Sequence, residues 1–249
     1  LKIAKINKKI LTEVMMSLAE KSITFLNHIE TWLENRPVLT LDEAIPEPEK
    51  AAIISADVIN GFLYDGPLAN PRVAQIDKPI TGLMQAAWDR GMRDILLVQD
   101  AHSEDSPEFD AYGQHVLAGT RQAEAIDMIK DLPFYDQLKT VYKDSIHPAL
   151  NNGFDEWVDS RQYLNTFIAV GDVTDLCLYN LALYLRFRAN AYHRERRVIV
   201  PANCTQTWHL SVEDAQDSPG MAHLGDMLHA TFLYHMAING IEVVKESKH

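Results

Sequence analysis

The sequence predicts one α/β domain of three layers, α/β/α, around a mostly parallel, Rossmann-like sheet, with an added N-terminal helical segment. Two observations carry this. From residue 50 onward, short apolar runs alternate with stretches of helical periodicity. The runs are apolar throughout rather than alternately polar, as strands are when helices cover both faces of a sheet. Length agrees: 249 residues span one to two domains at about 150 residues each. A chain that is 47% hydrophobic and 23% charged can bury its own core.

Residues 1 to about 40 read as helical, with Ile10, Val14, Met15 and Leu18, then Phe25, Ile29 and Leu33, at helical spacing. Pro37, Pro46 and Pro48 end the segment, so residues 1–45 are expected to form an extension packed on the main domain or on a second subunit. Residues 46–249 form the main domain. Its expected strands are Ala51–Ala56, Asp94–Gln99, Thr140–Tyr142, Thr166–Val170, Arg197–Val200 and Ile241–Val244. The helices between them are expected over Ile76–Arg90, Thr120–Lys130, Asp175–Tyr192 and within Val212–Ile238.

Lys plus Arg number 23 against 35 Asp plus Glu, a net charge of −12, which argues against a partner recognised through a nucleic-acid backbone. Two cysteines make no disulfide framework and suit a reducing, cytoplasmic setting. No run reaches the length and apolarity of a membrane span. Charges at Lys8, Lys9 and Glu13 interrupt any signal-peptide core, and the start at Leu1 rather than Met suggests a missing or processed N-terminus.

In such folds chemistry gathers where strands end at their carboxyl edge. Cys177 follows a strand and opens a helix, where unpaired N–H groups and the helix dipole favour thiolate and can hold an oxyanion. A buried, inert cysteine is the structural alternative. Asp57 ends the first strand and Lys143 follows a short one, so all three residues converge on one sheet edge. A carboxylate there can take the thiol proton, and an ammonium can hold the carboxylate. Taken singly, Asp57 also fits a strand-end cap and Lys143 a solvated surface lysine.

Asp100 and His102, two apart at a strand end, point the same way, and Glu108 and His115 follow in the next loop. This donor set suits Zn, Mn or Fe, although on spacing alone loop histidines making ordinary hydrogen bonds fit better. His223, His229 and His235 lack the spacing of helical metal ligands and read as helix surface or core positions. Arg186, Arg188, Arg194, Arg196 and Arg197 read as a solvated basic face at a helix end. The four tryptophans read as core or interface residues, and Cys204 as structural.

Five stretches, in this order, carry a family likeness: Asp57-Val58-Ile59-Asn60-Gly61-Phe62, Gln99-Asp100-Ala101-His102, His115 through Thr120, Lys143, and Gly171 through Cys177. Over residues 50–245 the chain resembles the isochorismatase-like cysteine hydrolases, and within them the nicotinamidases. The resemblance implies a catalytic triad of Asp57, Lys143 and Cys177. It implies a cis peptide between Asp172 and Val173, with the N–H groups of Val173 and Cys177 as an oxyanion hole. It implies a metal held by Asp100, His102, Glu108 and His115, and Phe62 and Tyr112 flanking a flat substrate ring. Four positions depart from the nicotinamidase pattern: Tyr112-Gly113 stands for Trp-Pro, Glu108 for His, and Asp172 for an apolar residue.

The expectation that follows is an amidase cleaving a small ring-bearing carboxamide, nicotinamide first, through a thioester, in a homo-oligomer. A carbamoyl or ureido substrate for the same triad, and a non-catalytic scaffold on the same fold, are the competing readings. Vinyl-ether cleavage fits less well, because in the family it does not need the cysteine found here.

Overall fold

The computed structural model describes residues 17–217 and 220–248. The expectations placed on Ile10, Val14 and Met15 lie outside them. Helix α1 (Leu18–Glu34) begins with a capping box in which Ser17 and Glu20 satisfy each other's backbone N–H groups. Strand β1 (Val38–Thr40) follows where the sequence had suggested helix. Then come β2 (Ala51–Ala56), helix α2 (Asp77–Asp89), β3 (Asp94–Asp100), β4 (Lys139–Lys143), helix α3 (Phe154–Asp159) and β5 (Thr166–Asp172). Helix α4 (Cys177–Ala191), β6 (Arg197–Pro201), β7 (Thr205–Gln206), helix α5 (Gly225–Ile238), β8 (Glu242–Val244) and β9 (Glu246–Lys248) complete the chain.

The main sheet is parallel, in the order β4-β3-β2-β5-β6-β8, with β7 also paired to β5. From β2 the chain builds outward through β3 to β4, then returns to the other side of β2 to lay down β5. The strand order therefore reverses between β2 and β5, and their carboxyl ends open a crevice. Alternate strand residues serve two cores. Ile53, Ile95, Leu97, Ile168 and Val170 pack towards Ile80, Leu83 and Met84 of α2. Ala52, Ile54, Leu96, Val98, Phe167 and Ala169 pack towards α3, α4 and α5. These are the three expected layers.

Four further details differ from the sequence reading. The expected helix over Thr120–Lys130 is two single turns, Arg121–Ala123 and Asp127–Lys130, because Glu124 and Ile126 adopt extended backbone between them. β4 is not apolar throughout: as an edge strand it leaves Tyr142 exposed and buries Lys143. Helix α3 lies in a stretch the sequence left unassigned. At the N-terminus, Leu18 and Phe25 are exposed while Ile29 is buried. Trp32 and Phe25 meet Tyr234 of α5 edge-on, at centroid separations of 5.0 and 5.7 Å. β1 pairs in parallel with β9, and Leu41, Ala44 and Ile45 enter the α2-side core, which ties the N-terminal segment to the body.

Candidate active site

The carboxyl edge of the sheet brings together the residues singled out in sequence. Asp57, just past β2, has a left-handed backbone with φ +54°, which aspartate tolerates better than bulky residues. Its N–H donates to Val98 O, and its Oδ1 accepts the Asp100 N–H at 2.7 Å. Register places Asp100, the last residue of β3, beside Lys143, the last of β4. Lys143 Nζ then lies 2.9 Å from Asp57 Oδ2, 2.5 Å from Asp100 Oδ1 and 3.5 Å from Cys177 Sγ. All four side chains are buried.

Burial would discharge Lys143, but the carboxylates of Asp100 and Asp57 outweigh it and hold the ammonium well above its usual pKa. Burial, with the Asp100 charge, raises Asp57 to about 6 in spite of Lys143. Burial also pushes the Cys177 thiol well up; Lys143 opposes this, while Asp57 and Asp100 reinforce it. The expectation of a resting thiolate from the helix start is therefore corrected: the sulfur rests as a thiol beside a carboxylate that can take its proton. Burial likewise raises Asp172 well above the usual carboxylate range, reinforced by the Asp57 charge and opposed by Lys143, so burial favours the neutral form of this acid at a usually apolar position.

Cys177 is the first residue of α4, and the peptide between Asp172 and Val173 is cis. Among the described residues, no hydrogen bond within the protein engages the N–H of Val173 or of Cys177. At the mouth, the Phe62 ring lies 5.9 Å and the Tyr112 ring 6.3 Å from the imidazole of His115. Burial, reinforced by the nearby Glu108 carboxylate, raises the Tyr112 phenol.

Ligand-type atoms of Asp100, His102 and His115 lie within 4.8 Å of one another, all buried. Glu108 Oε2 is 3.8 Å from His102 Nε2, while its other oxygen accepts the Ile146 N–H. His102 Nε2 is buried with no hydrogen-bond partner, because its Nδ1 faces Asp144 Oδ1 at 2.7 Å. His115 Nδ1 donates to Gly113 O at 2.8 Å, which leaves its Nε2 as an acceptor. Burial lowers the His115 pKa and so keeps it neutral. Burial also opposes charge on His102, but Asp100, Asp144 and Glu108 prevail and push it up to about 9. A field that negative, with one orphaned imidazole nitrogen aimed into it, fits a divalent cation.

The sequence reading missed three contributors. Asp144 orients His102, and only its position next to Lys143 could have signalled that. Asp175 Oδ2 pairs with His223 Nε2 at 2.7 Å, and the His223 ring stacks on Trp208 at 3.7 Å. His229 Nδ1 meets Thr174 Oγ1 at 2.8 Å. Of the three histidines read as helix positions, His223 thus precedes α5, and His229 points from α5 towards the loop before Cys177.

A buried thiol, ammonium and pair of carboxylates at a strand-order reversal define a class of protein: parallel α/β domains with a buried polar centre at the carboxyl edge of the sheet. The isochorismatase domain model matches residues 51–223, and the chain belongs to the isochorismatase family, whose members are hydrolases, amidases included. Among solved structures, a cysteine hydrolase from Pseudomonas syringae pv. phaseolicola aligns at a TM-score of 0.64 and 20% identity, covering 84% of this chain and 93% of that one. A nicotinamidase from Bacillus subtilis aligns at 0.61 and 20%, covering 79% and 99%. An N-carbamoylsarcosine amidase from Thermoplasma acidophilum aligns at 0.58 and 20%, covering 78% and 95%. At that identity the likeness is one of fold. No curated protein matches the chain. Among the described residues no helix is long and apolar enough to cross a membrane.

Proposed function

We propose that the protein is a cysteine-dependent amidohydrolase that converts a small carboxamide, nicotinamide or a close analogue, to its acid and ammonia. The observation that carries this reading is Lys143 Nζ, 2.9 Å from Asp57 Oδ2 and 3.5 Å from Cys177 Sγ in one buried cluster. Asp57, Lys143 and Cys177 form the triad. Cys177 Sγ attacks the carbonyl carbon as Asp57 takes its proton. The N–H groups of Val173 and Cys177 receive the oxyanion. Asp57 returns the proton to the departing nitrogen, ammonia leaves, and a thioester remains. Asp57 then deprotonates water for attack on that thioester, which frees the acid and restores the thiol. Lys143 stays charged throughout and keeps Asp57 ionised. Phe62 and Tyr112 hold the ring. Asp100, His102, Glu108 and His115 would hold a Zn, Mn or Fe ion, which when bound supplies a Lewis-acid contact for a ring nitrogen or a water.

A second reading keeps the triad and takes a carbamoyl or ureido compound. The alignment with the carbamoylsarcosine amidase, at the same identity as the nicotinamidase, supports carrying it. A homo-oligomer belongs to the same proposal, supported by the exposed Leu18, Ile23 and Phe25 of α1.

The test is ammonia release from nicotinamide by the purified protein, before and after chelation and metal return, with Cys177→Ala alongside. Chelator-sensitive release that disappears in Cys177→Ala supports the whole reading. Release unchanged in Cys177→Ala would overturn the covalent mechanism. No release from nicotinamide, but release from N-carbamoyl amino acids, would favour the second reading.

A further inference from the structure

At the amino-terminal edge of the sheet lies a cavity of about 200 Å³, lined by Asp159, Gln162, Arg188, Tyr192, Arg194 and Arg196. It forms where three segments meet: the end of α3, the end of α4, and the turn that leads into β6. Cys177 opens α4 and this cavity closes it. A helix of 15 residues separates the two sites, about 20 Å at 1.5 Å per residue.

Arg196 departs from the solvated basic face expected from the sequence. It is 8% exposed, and its guanidinium lies 5.3 Å from the Phe167 ring centroid in the sheet core. Its Nη2 is fully buried without a hydrogen-bond partner. Among the described residues no carboxylate pairs with it. A buried guanidinium without a counter-charge is strongly unfavourable, and native proteins match such groups with an anion. Arg194 carries no described ion pair, and Arg188 is already taken by Asp155 and Asp159. With Arg188 held by its two carboxylates, the guanidinium groups of Arg194 and Arg196 line the cavity without a paired anion among the described residues. Burial, then the charges of Arg194 and Arg188, lower the Arg196 pKa, and Asp159 only partly opposes them. In a chain of net charge −12, such an uncompensated basic pocket is a local feature, not an overall field.

We propose that this cavity is a binding site for a phosphate-type dianion, held by the forks of Arg194 and Arg196 and separate from the catalytic centre. Guanidinium forks match the paired oxygens of a phosphoryl group, and two unspent positive charges match a dianion. The ligand is inorganic phosphate or the phosphoryl end of a small monoester; the cavity volume admits either.

Titration calorimetry of the intact protein with inorganic phosphate, and separately with glycerol phosphate, at constant ionic strength, tests the proposal. One saturable site is expected for at least one of the two. Binding of phosphate alone assigns the free ion, and tighter binding of glycerol phosphate assigns a monoester. Arg194→Gln and Arg196→Met should each weaken binding at least tenfold. Arg194 is exposed, so Arg194→Gln decides the matter if Arg196→Met fails to fold. No saturable binding of either probe, or binding unchanged in Arg194→Gln, overturns the proposal.

Discussion

Lys143 Nζ stands 2.9 Å from Asp57 Oδ2, with both side chains out of reach of solvent. The same ammonium reaches Asp100 and the sulfur of Cys177, so one cation organises every charge in the cluster. Removing it leaves two buried carboxylates facing each other. Lys143→Met should therefore cost about 3–5 kcal/mol of stability in denaturant unfolding and at least about 100-fold in kcat. A folded Lys143→Met protein with near wild-type kcat would contradict the role given to the lysine.

Asp57 has to be ionised to accept the thiol proton, and burial with the Asp100 charge raises its pKa to about 6. The active form is thus present above that value and is lost as pH falls through it. Alkylation of Cys177 in the metal-free protein should be level near pH 7 and fall about tenfold per pH unit below about 6. An acid limb near pH 4, where an unperturbed aspartate titrates, would show that another group controls the rate.

Asp144 accepts from one nitrogen of His102 and so frees the other for a cation. Burial raises its own pKa, but the hydrogen bonds from Ser103 and His102 together prevail and hold it down to about 2. Asp144→Asn should weaken Zn or Mn binding about 10–100-fold in competition with a chromophoric chelator. Unaltered affinity would mean that Asp144 does not orient the ligand set.

Gly171 sits in β5 with φ +114°, and a Cβ there would meet Ala56 O of β2 at 1.9 Å. That obstacle is sheet backbone on the strand that carries Asp57, so it cannot yield cheaply. Gly171→Ala should lose more than about 3 kcal/mol in urea unfolding or fail to accumulate as folded protein. Wild-type stability would mean that the two strands can separate locally without cost.

The strand-end placement of Asp57, Asp100 and Lys143 was legible because apolar runs end at recognisable polar residues, and a parallel sheet aligns those ends. Cys177 was legible from its position after β5 at a helix start. The reach of His223 and His229 was not, because their partners Asp175 and Thr174 are 48 and 55 residues away in the chain. The single turns replacing a helix over Thr120–Lys130 were likewise invisible, since local periodicity outlasts the hydrogen-bond pattern there.

Sequence by itself determined the layers, the strand order's raw material and the side chains that meet at the carboxyl edge, since burial pattern and residue type are local properties. Tertiary structure alone decided the protonation states. Cys177 rests as a thiol because it is buried beside Asp57 and Asp100, against the pull of its helix start and of Lys143. Arg196, one of five arginines in a polar stretch, is buried over Phe167 while Arg194, two residues before it, stays exposed. The physical reason is the same in both cases: the free energy of a charge depends on its distance from solvent and from other charges, and only the packed chain sets those distances.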